Sequence, residues 1–80
     1  MRLEWERWRH IVGKHRDLDA TPERLVAIVA TPDERIDGRE PLEVWYYGRS
    51  DGPNPWIKVV VHYEHGRGRI VTAFPQRSFP

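Results

Sequence analysis

Eighty residues without cysteine, 31% of them charged and carrying a net charge of +1, make one small domain. A chain this short buries about 60% of its unfolded surface, so one core forms and any site lies on a sheet face or in a shallow groove. Disulfides and thiolate metal sites are excluded, and four Trp, three Tyr and two Phe supply enough ring area to close the core without staples. The longest apolar run, Leu25 to Ala30, is far too short to span a bilayer, and no signal-peptide core is present. A cytoplasmic protein with no membrane partner is expected. Charge is unevenly spread. Residues 1–16 carry five basic and two acidic side chains, residues 17–43 three and eight, and residues 44–80 five and two. If the first and last segments meet, one basic face is backed by an acidic one and steers polyanions; the alternative is ordinary surface charge interspersed for solubility.

The first helix is predicted from Trp5 to about His15, with Trp5, Trp8, Ile11 and Val12 on one apolar stripe. At 100° per residue His15 continues that stripe at the core's rim, whereas His10 points to solvent. A second helix starts at Thr21 as N-cap with Pro22 at its first position, and ends near Thr31, ahead of Pro32. The chain then changes period. Short strands are predicted at Glu34–Asp37 and Leu42–Arg49, a loop over residues 50–55, and strands at 56–63 and 69–74 around a Gly66-Arg67-Gly68 turn.

The architecture expected is α+β, with two N-terminal helices on one face of a four-stranded antiparallel β-meander. The last two strands are expected at the centre of the sheet. Residues 1–75 form the domain and 76–80 a tail from which Phe79 can fold back. Alternation puts Ile57, Val59, Val61 and Tyr63 under the helices and leaves Trp45, Tyr47, Arg49, Lys58 and His62 on an open face.

That open face has chemical potential. Metal-free RNA cleavage needs a base for the 2′-hydroxyl, an acid for the leaving oxygen, and cations or hydrogen bonds on the phosphate. Histidine suits the proton transfers because its ordinary pKa is near neutral. His15 is the first candidate for acid or base; the competing role is that of a rim histidine closing its helix. Arg49 and Lys58 suit a phosphate clamp, and Trp45 and Tyr47 suit base stacking, although strand aromatics commonly serve packing and single strand cations are commonly just solvated. Thr72 offers a hydroxyl to a phosphate oxygen, and is also a good strand former. His62, Glu64 and His65 do not make a zinc set, since the two histidines point to opposite faces. No cofactor is expected.

The ordered segments HIVGKHRDL, Thr-Pro-Asp, VWYYGR, IKVVVHY and RIVTAFP, from Trp8 to Pro75, resemble the small phage and bacterial branches of the barnase–EndoU–colicin–RelE-like nuclease superfamily. In those branches a helix carries an H-x4-H element and the last strand reads V-T-A-[FY]. The resemblance implies a metal-independent ribonuclease, of toxin or phage type, with an antitoxin or other protein as partner. It assigns His10 and His15 to the helix histidines, Arg49 to the basic residue ending the second strand, and Thr72 to the last-strand hydroxyl. Arg16 stands where many relatives have proline. Two other functions compete with cleavage: a non-catalytic RNA- or protein-binding module on the same fold, and a homodimerisation domain using exposed Trp residues.

Overall fold

The computed structural model describes residues 1–79; the last residue of the expected tail lies outside them. Helix α1 spans Trp5–Lys14 and α2 spans Pro22–Ala30, followed by strands β1 (Glu34–Asp37), β2 (Glu43–Arg49), β3 (Trp56–Glu64) and β4 (Arg67–Gln76). The α2 start follows its sequence closely: the Thr21 hydroxyl accepts from the Arg24 N–H at 3.1 Å, with Pro22 at the first helical position, where its missing N–H costs nothing. The α1 helix stops one residue short of the expected end, and His15 becomes its C-cap, its N–H donating to the Ile11 carbonyl at 2.8 Å.

The four strands form an antiparallel meander in the order β1-β2-β3-β4. Both helices pack on one face, α1 against β4 and α2 against β2 and β3. The core between the layers gathers Ile11, Leu25 and Ile28 from the helices with Val44, Tyr46, Ile57, Val59, Val61, Ile70 and Ala73 from the sheet. Further details differ from expectation. Leu42, expected to open the second strand on the helix-covered face, precedes β2 with φ 70° and is 62% exposed. β4 is an edge strand, because β3 uses its other side for β2, and only a bridge between Arg2 and Arg69 lies beyond it. The β3–β4 turn is His65-Gly66, both with positive φ (53° and 75°), so β4 already begins at Arg67. Trp5, expected on the buried stripe, is 69% exposed; Ile11, near the middle of α1, is fully buried, and Trp8 packs partly beside the core.

Candidate nucleic-acid interface on the open sheet face

Strand alternation sends a second set of side chains to the face away from the helices. Register pairs Tyr47 with Lys58, Lys58 with Phe74, Arg49 with Trp56, Val60 with Thr72 and His62 with Arg69. The register shift after Val60 leaves Val71 as an extra residue on β4, so Thr72 and Phe74 share a face with Arg69 despite the odd spacing.

Lys58 is the hub of this face. Its Nζ lies 3.4 Å from the Trp45 ring centroid, 5.4 Å from that of Phe74 and 6.0 Å from that of Tyr47. An ammonium over an aromatic face is attracted by the ring quadrupole, by about 0.5–2 kcal/mol depending on exposure. The Trp45 ring is pinned in turn, its Nε1–H donating to Glu43 Oε1 at 2.5 Å. Partial burial pushes the Lys58 ammonium below its ordinary pKa; Glu43 opposes that shift and Arg39 adds to it. The Arg49 guanidinium stacks 4.3 Å from the Trp56 centroid. Its backbone is held at both ends, the N–H donating to Asp33 Oδ2 and the carbonyl accepting from Arg24, each at 2.8 Å. Among the described residues neither Lys58 nor Arg49 enters an ion pair.

The three residues expected to carry catalysis part company. α1 packs on the edge strand β4, and the ring of His15, its C-cap, lies 5.2 Å from Phe74, tilted by 35°. His15 and Lys58 therefore touch the same ring, and Thr72 lies two residues from it on the same face. His10 is exposed on α1 with no side-chain hydrogen bond or ion pair among the described residues. His62 is half-buried opposite Arg69, four residues along β3 from Lys58, roughly 13 Å away at strand spacing.

Tyr47 is on the open face yet has 0% exposure. Phe79 from the tail packs edge-on at 4.9 Å and 85°, and Trp56 lies at 6.2 Å and 88°. The ring therefore presents no free face to a base while the tail is docked. Among the described residues the Tyr47 hydroxyl is buried without a well-formed hydrogen bond, and burial pushes its pKa above the ordinary value; the nearby Gln76 carboxamide only partly offsets this. Phe74, Trp56, Gln76 and Phe79 were not among the expected site residues. Trp56 and Phe74 were findable, since they share strand alternation with Lys58 and Thr72; no local pattern reports the return of Phe79.

At its hairpin end the face runs into a concavity of about 1060 Å³, lined among others by Arg2, His62, His65, Arg67 and Arg69. It adds cationic surface, with Glu64 among it, at the far end of the strand from the Lys58 cluster. Among the described residues, no group of three or more His, Cys, Asp or Glu side chains gathers to hold a metal ion, and no helix is long and apolar enough to cross a membrane. Comparison with protein-family models, curated proteins and solved structures gives no significant match for this chain.

Proposed function

We propose that this chain is a metal-independent endoribonuclease that holds RNA on its open sheet face. The observation that carries the proposal is the ring contact between His15 and Phe74. That contact supports a reading in which a histidine from the helical layer works with the Lys58 cation, the Thr72 hydroxyl and the half-buried Trp45 indole of the open face. In the reaction, a base removes the proton from the ribose 2′-oxygen, which bonds to phosphorus as the P–O5′ bond breaks. An acid protonates the departing 5′-oxygen, leaving a 2′,3′-cyclic phosphate and a 5′-hydroxyl. His15 is one proton carrier. Lys58, whose depressed pKa makes it surrender a proton more readily than an ordinary lysine, is the second and also neutralises the phosphate. Thr72 bonds a phosphate oxygen, Arg49 binds the next phosphate along the strand, and Trp45 stacks a base. His10 has no part in this arrangement, although the motif resemblance points to it.

The test is direct. Expressing the chain in bacteria should arrest growth and produce cellular RNAs with cyclic-phosphate ends, and His15→Ala should lower cleavage by roughly 10²–10⁴-fold. Because His15 is only half-buried, the melting temperature should move little. Full activity in that variant would remove His15 from the chemistry.

One observation favours a second reading, a non-catalytic RNA-holding module. Lys58 and Arg49 are already seated on aromatic rings, and the only other histidine on this face is His62, far from His15. RNA that binds in a salt-dependent way and stays intact would select that reading.

A further inference from the structure

We infer that the aromatic slot closed by Phe79 is a nucleobase-binding site, and that the C-terminal tail is its resident, displaceable occupant. The inference rests on the RNA-directed reading above and names the part of the ligand that the slot takes.

The slot is built from opposite ends of the chain's second half. Tyr47 and Trp56 stand on neighbouring strands with their rings nearly perpendicular, and the Phe79 ring fits against both, 4.9 Å from Tyr47 and 5.6 Å from Trp56. Phe79 arrives without strand pairing, since β4 ends at Gln76 and Arg77 and Ser78 are exposed. The side-chain hydrogen bond in this stretch runs from Gln76 Nε2 to the Ser78 carbonyl, at 2.9 Å. A flat ring is thus delivered on a short, weakly held tether.

A phenyl ring matches this slot in shape but not in polarity. Among the described residues it leaves the fully buried Tyr47 hydroxyl without a well-formed hydrogen bond, the Gln76 carboxamide standing near it, in a protein whose buried polar groups are otherwise expected to be paired. A nucleobase has a comparable planar footprint and carries donors and acceptors around its edge. In place of Phe79 it packs against the same rings, edge-on to Tyr47 and tilted over Trp56, and its edge can satisfy the Tyr47 hydroxyl and the Gln76 carboxamide together. Arg49, already over the Trp56 ring, stands beside the slot for the attached phosphate. The tail lowers the apparent affinity in proportion to the fraction of molecules in which it is docked.

Titration of the whole chain and of Phe79→Ala with a labelled single-stranded oligoribonucleotide, at low and high salt, tests this. The variant should bind about tenfold more tightly, the scale of one base–aromatic stack. In the wild-type chain, Phe79 proton resonances shifted by the Tyr47 and Trp56 ring currents should move to free-chain values as RNA saturates. This second measurement stands even if Phe79→Ala fails to fold. Phe79 resonances that stay in place at saturation, or equal or weaker binding by a folded Phe79→Ala, would overturn the slot while leaving the RNA reading intact, provided the wild type binds RNA in a salt-dependent way. Absence of RNA binding by both chains overturns the slot and the RNA reading together.

Discussion

At the scale of single residues, conformation and contact decide more than residue type. His65 shows the first. It takes φ 53° beside Gly66 at 75°, so the two residues form a tight hairpin turn of the type that favours Asn-Gly, because a side chain with a Cβ is costly in the left-handed region. Its exposed contact with Glu64, 3.9 Å from Nε2 to Oε1, contributes little in return. His65→Asn should therefore stabilise the fold by about 0.5 kcal/mol, a rise of a few degrees in Tm in a domain of this size; a fall in Tm would show that the histidine has a role beyond the turn. His15 shows the second. Its position at the rim was readable from helical periodicity, because 100° per residue separates it from His10. Its contact with Phe74 was not, since that depends on α1 lying over an edge strand, whereas the sequence reading puts the 69–74 strand at the centre of the sheet.

At the scale of elements, the layer contact between α2 and β2 is close enough to require glycine. A Cβ on Gly48 would stand 2.6 Å from Cγ1 of Ile28, a side chain only 1% exposed and unable to yield. Gly48→Ala should cost about 1–3 kcal/mol by overpacking; adding Ile28→Val, which removes Cδ1 at 2.8 Å but keeps Cγ1, should give a combined loss smaller than the sum of the two single losses, since touching residues couple. An unchanged Tm in the single variant would mean that the helix is free to withdraw. The sequence contains this glycine but not its reason, because the steric demand comes from another element. The β3–β4 turn is the converse case. Gly66-Arg67-Gly68 looks like a turn because glycine is the strongest punctuator, yet Gly68 lies in the strand, where Met1 and Tyr63 occupy the space a side chain would need.

The β2–β3 pair also carries a pH signature. The Tyr46 and Tyr63 hydroxyls share a hydrogen bond of 2.5 Å, and burial first, then that bond, pushes the Tyr63 phenol up to about 12, with Arg35 pulling the other way. A raised folded-state pKa means that the neutral phenol is favoured in the native protein. The stability this adds is fully present below pH 10.0 and is lost as pH climbs toward about 12. Tyr63→Phe should lower stability by about 1 kcal/mol at neutral pH, by orphaning the Tyr46 hydroxyl, and should flatten the alkaline loss. Parallel alkaline melting of both proteins would assign that loss to other groups.

At the scale of the whole molecule, the sheet order sorts charge. α1 packs on β4, and Arg2 bridges to Arg69, so the two segments that each carry five basic and two acidic side chains meet at one edge. The acidic segment, with eight acidic and three basic side chains, supplies α2 and the opposite edge strand β1. The net charge of +1 thus conceals a gradient across the sheet. The charge counts point to a basic face backed by an acidic one; because both helices lie on one face of the meander, the separation instead runs from edge to edge. That Phe79 can fold back is part of the sequence reading, but its landing on Tyr47 is not, being a contact between residues 32 positions apart with no pairing to announce it. If the open face holds single-stranded RNA, affinity should fall with salt at about 0.7 log units per phosphate contact for each log unit of salt. Arg49→Gln with Lys58→Gln should flatten that slope by roughly 1 to 2 units. Because both cations also lie on rings, the double variant should lose a little stability as well, about 1 kcal/mol per contact at most exposures. Arg67→Gln with Arg69→Gln separates the two effects, since neither guanidinium lies over a ring among the described residues: that pair should reduce the slope and leave Tm unchanged. A slope altered by the Arg67 and Arg69 changes alone would move the RNA path to the hairpin end. A salt-independent chain that instead dimerises with concentration, through exposed Trp5 and Leu42, would make the surface a protein interface.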